Sequence, residues 1–182
     1  MMKTAQQFEQ VMDLCRKVFQ VKLKDYGPSW RIMRPQSITD QIFIKASRIR
    51  SIEMKGVSKV DEGIKPELIA IVNYGIIGLI QLTLGAAAEV KDMPADEALA
   101  LYDKYLSETK ELMIAKNHDY DEAWRSMRIS SYTDMILTKI SRVKQIEDNH
   151  GQTAGSEGVD SNYMDMINYA IFGLIKLEFN DN

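Results

Sequence analysis

Cysteine is nearly absent: Cys15 stands alone among 182 residues. A single cysteine excludes an internal disulfide and most cysteine-based metal sites, and a reducing cytoplasm is the expected compartment. Its neighbours at helical spacing, Val11, Leu14 and Val18, mark it as a packing residue rather than a nucleophile. Histidine is also scarce. His118 and His150 have no counterparts in the internal repeat described below and read as surface residues. No Gly-rich phosphate loop, Ser/His/Asp pattern or zinc-ligand spacing occurs. The opening MMKTAQQFEQ lacks the apolar core of a secretion signal. No stretch alternates at period two, so strands are not expected. The net charge of −3 and pI near 5.5 give the whole molecule no bias toward nucleic acid or anionic membrane, so neither is an expected partner. A local basic pocket stays open.

What is present is a duplication. Residues 25–53 and 119–147, laid on each other at an offset of 94, agree at 15 of 29 positions. The matches include Trp30 and Trp124, Arg31 and Arg125, Arg34 and Arg128, Asp40 and Asp134, Lys45 and Lys139, Arg48 and Arg142, and Glu53 and Glu147. Matched apolar residues would suffice to keep a fold, so matched Trp, Lys, Arg and Glu point to preserved chemistry as well. Phe8 with Tyr102 and Lys22 with Lys116 extend the repeat backward. Glu62-Gly63 with Glu157-Gly158, and Asn73-Tyr74 with Asn168-Tyr169, extend it forward at an offset of 95.

The spacing predicts a helix over 4–24, broken by Asp25-Tyr26-Gly27-Pro28, and a loop over 30–36. Ser37 or Thr39 offers an N-cap for a helix running to about Lys55. Pro66 opens a helix to about Ala88 that is apolar on nearly every side. Its length raises a membrane span, but Asn73, Tyr74 and Gln81 interrupt it, and its second copy carries Asp165 and Lys176. A buried core helix is the better reading. In the second copy Asp92 is the expected cap, with Pro94 in the first turn; further helices run from Thr133 to Glu147 and to near Phe179. The expected fold is all-α: about six helices forming a duplicated three-helix unit, 1–90 and 91–182, packed as one domain about a pseudo-twofold axis.

Ile136, Ile140, Val143 and Glu147 share one helix face, as do Ile42, Ala46, Ile49 and Glu53. A carboxylate on an inward face needs a metal ion or a basic partner. Lys139 and Arg142, like Lys45 and Arg48, flank that face and suit phosphate oxygens. The same spacing also suits a structural Lys/Arg–Glu network. Asp165 lies on an apolar face with Asn168 and Phe172, and Glu157 and Asp160 lie just ahead of it. Glu147, Glu157, Asp160 and Asp165 are thus candidate ligands for Mg²⁺ or Mn²⁺, with Glu53 their first-copy relative. Such a site is better furnished in the second half, because Lys65 and Ala70 replace Asp160 and Asp165 in the first. Trp30 and Trp124, each beside arginines such as Arg128, suit a nucleobase or a plug at the bundle end. Asn73 and Asn168 read as buried amides bonded between helices.

The Asp25-Tyr26-Gly27 turn, the Lys-x-x-Arg helices at Lys45/Arg48 and Lys139/Arg142, and Glu157-Gly158 followed by Asp165 to Tyr169 resemble the nucleotide modification associated domain 1 family. That family is distantly similar to all-α nucleoside triphosphate pyrophosphatases of the MazG and dimeric dUTPase kind. The resemblance implies an Mg²⁺-dependent nucleotide-binding protein, and a pyrophosphohydrolase in which Glu147 and Asp165 serve catalysis. Lys139, Arg142, Lys45 and Arg48 would hold phosphates, and Trp124, Tyr120 or Trp30 the base. The sequence departs from the Glu-x-x-Glu pattern of those enzymes, since Gly56 follows Glu53 and His150 follows Glu147 at that spacing. A non-catalytic nucleotide-binding module and a helical protein-interaction domain are the alternatives, and a homodimer is compatible with each.

Overall fold

The structure, a computed structural model, describes residues 2–56 and 63–179. These form six α-helices and no strand. In α1 (Met2–Tyr26), Phe8, Val11, Cys15, Phe19 and Leu23 recur at three- and four-residue steps, and all are buried. Burial pushes the Cys15 thiol up to about 12, which keeps it inert. The helix ends where Gly27 takes a left-handed conformation, φ 65°. Its repeat counterpart Asp121 does the same at φ 48°, a geometry that short polar side chains tolerate. Each copy then makes one 3-10 turn, Ser29–Ile32 or Ala123–Ser126, that buries its tryptophan.

Helix α2 (Pro35–Lys55) starts a turn earlier than Ser37 or Thr39 would set it. Proline at the first helical position already has the required φ and no N–H to satisfy, so the chain needs no hydroxyl cap there. Thr39 therefore faces inward. Helix α3 (Lys65–Leu84) stops at Gly85, short of Ala88. Helix α4 (Ala95–Tyr120) has Pro94 at its N-cap. Asp92 is not the cap; it pairs with Arg31 at 2.8 Å. Helices α5 (Ile129–Asp148) and α6 (Val159–Phe179) complete the second copy. Glu62, matched above to Glu157, lies outside the described residues.

The helices stack as three layers, each a repeat-related pair. Central α3 packs on α6; α2 and α5 cover one side and meet each other, while α1 and α4 cover the other. Helix α3 is long and apolar enough to cross a membrane, with mean hydropathy 1.7, yet 72% of that stretch is buried inside the protein. It is the core helix its composition predicts. Close approach of α3 and α6 depends on glycine. A Cβ on Gly75 would overlap Cγ1 of Ile167, and one on Gly78 would sit 3.0 Å from the Tyr163 ring.

Polar contacts follow the pseudo-twofold axis reciprocally. Thr39 Oγ1 donates to Glu147 at 2.8 Å, and Thr133 Oγ1 donates to Glu53 at 2.7 Å. Lys144 pairs with Asp40 at 3.5 Å, and Arg50 with Asp134 at 4.0 Å. Each copy's acid is thus met by the other copy's hydroxyl or cation, as in an isologous dimer interface. Asn73 Nδ2 donates to the Cys15 carbonyl at 3.1 Å, and Asn168 Nδ2 to the Thr109 carbonyl at 3.2 Å. Gln81 donates to the carbonyls of Trp30, Arg31 and Met33, and Lys176 to those of Arg125 and Met127, so each central helix clamps its own 3-10 turn.

One reciprocal bond is missing. Tyr102 donates to Asn73 Oδ1 at 2.7 Å, but its counterpart Phe8 has no hydroxyl, and Asn168 Oδ1 is buried without a partner. Two outcomes are expected in urea titrations. Tyr102→Phe should destabilise by about 1–3 kcal/mol by orphaning Asn73 Oδ1, while Phe8→Tyr should stabilise by about 1 kcal/mol.

Candidate functional site

The two copies differ most where an acidic side chain has moved by one helical turn. In the second copy Asp165 of α6 is buried and accepts from Lys116 of α4 at 2.6 Å and Lys139 of α5 at 2.9 Å. One carboxylate ties three helices together. In the first copy Ala70 stands at that position, and the acid is Glu67, one turn earlier on α3. Glu67 is buried and held by Arg48 and, at 3.5 Å, by Lys45, both from α2. The cation lost from this arrangement is Lys22, the counterpart of Lys116. Lys22 is exposed and makes no ion pair among the described residues.

A cleft of about 750 Å³ opens beside it, between the end of α1, the first 3-10 turn and the first half of α3. Among the aromatic lining residues Tyr26 is exposed and Tyr74 half-buried, while Phe19 and Trp30 are largely buried; Lys22, Lys65, Ala70 and Asn73 also line it. Lys65 is ion-paired with Glu178, so Lys22 is the lining cation left without an acid. The second copy is filled at the matching positions. Phe172 replaces Ile77 and stacks on Trp124 with centroids 4.3 Å apart and planes at 6°. Arg125 lies over the Trp124 ring at 4.4 Å. Asp165 fills the place of Ala70. Trp30, with no such stacking partner, keeps only a tilted contact to Phe19 at 6.3 Å.

These placements redistribute the residues singled out from sequence. Both tryptophans are buried; Trp30 lines the cleft, and Trp124 stacks on Phe172. Lys45, Arg48 and Lys139 are engaged by buried acids and do not line it. Arg142 and Arg128 are exposed on α5 and at its N-cap, and Tyr120 is exposed at the end of α4. Lys22, Phe19, Asn73 and Tyr74 are the cleft residues that composition and spacing did not bring forward as a binding set. Their signal was available as the loss of bulk and charge at Ala70 and Ile77 relative to Asp165 and Phe172.

The acids do not gather. Among the described residues no three Asp, Glu, His or Cys side chains form a group able to hold a metal ion. Glu147 and Glu53 are bonded by threonines at the α2–α5 seam, Asp165 by two lysines, and Glu157 and Asp160 are exposed before and at the start of α6. This donor set does not fit Mg²⁺ or Mn²⁺, which take several oxygen ligands converging on one point.

Burial raises the Glu147 carboxyl above its ordinary 4.5, with the Thr39 hydrogen bond pulling partly back. Burial raises Glu53 likewise against Thr133. The folded protein therefore binds these protons more tightly than the unfolded chain does. Their favourable contribution to folding is present below pH 4.5 and is lost as pH rises through the raised folded values. In thermal melts from pH 4.5 upward, Glu147→Gln should remove part of the decline in stability that wild type shows across that window.

The model of the nucleotide modification associated domain 1 family matches residues 22–82 and again 116–177. The two matches begin 94 and end 95 residues apart, the same register as the internal repeat. No match was found among curated proteins or among solved structures. With more than half of its length matched, and with each copy of its three-helix unit carrying one match, the chain belongs to the nucleotide modification associated domain 1 family.

Proposed function

We propose that the protein binds a nucleotide in the first-copy cleft and does so without metal-dependent hydrolysis. The observation that carries this reading is the asymmetry of the repeat: one copy is filled by a ring and an acid, and the other is left open, aromatic-lined and edged by an unpaired lysine. Rigid aromatic walls suit a flat base, whose stacking on such a ring is worth about 1–3 kcal/mol. An ammonium at the rim suits a phosphate oxygen. The family description, which names nucleotide modification, supports the same ligand class.

A pyrophosphohydrolase reading calls for carboxylates held around a divalent ion. The acids here are engaged by lysine, arginine and threonine, which supports binding over turnover. Trp30 fluorescence and calorimetry with a nucleotide panel, run with Mg²⁺ and with chelator, test the choice. Saturable binding in both conditions with no product is expected. Metal-dependent release of monophosphate and pyrophosphate would overturn it.

Asp165 separates the readings further. Asp165→Asn should leave the buried Lys139 without its counter-charge and cost about 3 kcal/mol of stability, while nucleotide affinity at the first-copy cleft stays unchanged.

A further inference from the structure

We infer that the cleft selects a nucleoside monophosphate, taken without metal, with the base edge met by Asn73 and the single phosphate met by Lys22. This rests on the nucleotide reading above and names the ligand within it.

The base-reading group is Asn73, because its amide is fixed in one orientation. Its Nδ2 donates to the Cys15 carbonyl at 3.1 Å, an atom that can only accept, and its Oδ1 accepts from the Tyr102 hydroxyl at 2.7 Å. An amide has two N–H donors and two carbonyl lone pairs, so one of each is left over on a residue that lines the cleft. Every nucleobase carries an adjacent donor and acceptor that this pair complements. The same amide in the second copy, Asn168, is oriented by its own bond to the Thr109 carbonyl but has no hydroxyl on its Oδ1, and there Asp165 and Phe172 fill the positions that Ala70 and Ile77 leave small in the first copy. An amide held at both ends and open space therefore coincide in the first copy.

The phosphate number follows from the cations. Lys65 is held by Glu178, and Lys45 and Arg48 by Glu67, which leaves Lys22. One point charge suits one phosphate group; a triphosphate spreads several negative charges and calls for more cations or a divalent ion. The carboxylates are not placed to bring that ion.

The test is calorimetry in chelator with the nucleosides, 5′-monophosphates and 5′-triphosphates of adenine, guanine, cytosine and thymine. A monophosphate should bind about tenfold tighter than its nucleoside, the gain of one charge-assisted contact, and no weaker than its triphosphate. Lys22→Ala should erase that tenfold difference and leave nucleoside affinity in place. Ala70→Asp should do the same. It gives Lys22 the acid that Lys116 already has, an arrangement the other half of this fold accommodates. Circular dichroism melts establish that both variants fold. A triphosphate preference of tenfold, or variants that leave the monophosphate advantage intact, would overturn the monophosphate assignment while nucleotide binding stands. If nucleosides, monophosphates and triphosphates all fail to bind at millimolar concentration, the nucleotide reading itself fails.

Discussion

Neither copy of the repeat can bury its own central helix. Helices α3 and α6 are apolar around nearly their whole circumference, and a pair of flanking helices covers only part of that surface. They bury each other, at a separation that Gly75 and Gly78 permit by carrying no Cβ toward Ile167 and Tyr163. The remaining layers are arranged by that contact. Once α3 lies on α6, the two α2-type helices meet on one side and the two α1-type helices on the other. The single chain thereby reproduces the logic of a symmetric dimer.

Symmetry explains why charged residues match between copies. Asp40, Glu53, Asp134 and Glu147 contact the opposite copy, and each contact appears twice with the roles exchanged. A change in either copy would break a bond to the other. Matching at these positions therefore reports the seam between the copies and does not require two active sites. The same principle accounts for the paired clamps of Gln81 and Lys176 on the two 3-10 turns.

The proposed binding site is built from departures from symmetry. Moving the acid from the Asp165 position to Glu67 hands it to α2 cations and releases Lys22. Ile77 lacks the ring that stacks on the other copy's tryptophan. Tyr102, where the other copy has Phe8, adds a donor to Asn73 Oδ1. The cleft is lined from α1, the first 3-10 turn and α3, with Tyr102 of α4 acting on it through Asn73, and the three differences together leave it open, with an unpaired lysine and an amide held at both ends.

The six helices, their duplication, the buried standing of α3, the packing role of Cys15 and the inter-helix bonding of Asn73 and Asn168 are legible in the sequence. These follow from apolar periodicity and from the rule that a buried amide must find partners, both of which are local properties of a helix. Pro35 starts α2 although Ser37 and Thr39 offer competing caps, because a proline at the first position needs none. Tertiary structure alone decided which groups neutralise which. A helix face shows that Glu147 and Asp165 point inward, but the opposite wall comes from residues about 110 and 50 positions away: Thr39 in one case, Lys116 in the other. That wall supplies the Thr39 hydroxyl to Glu147 and two lysines to Asp165. It also placed the open cleft in the copy that carries fewer acids, because a cleft is made by what two helices fail to fill.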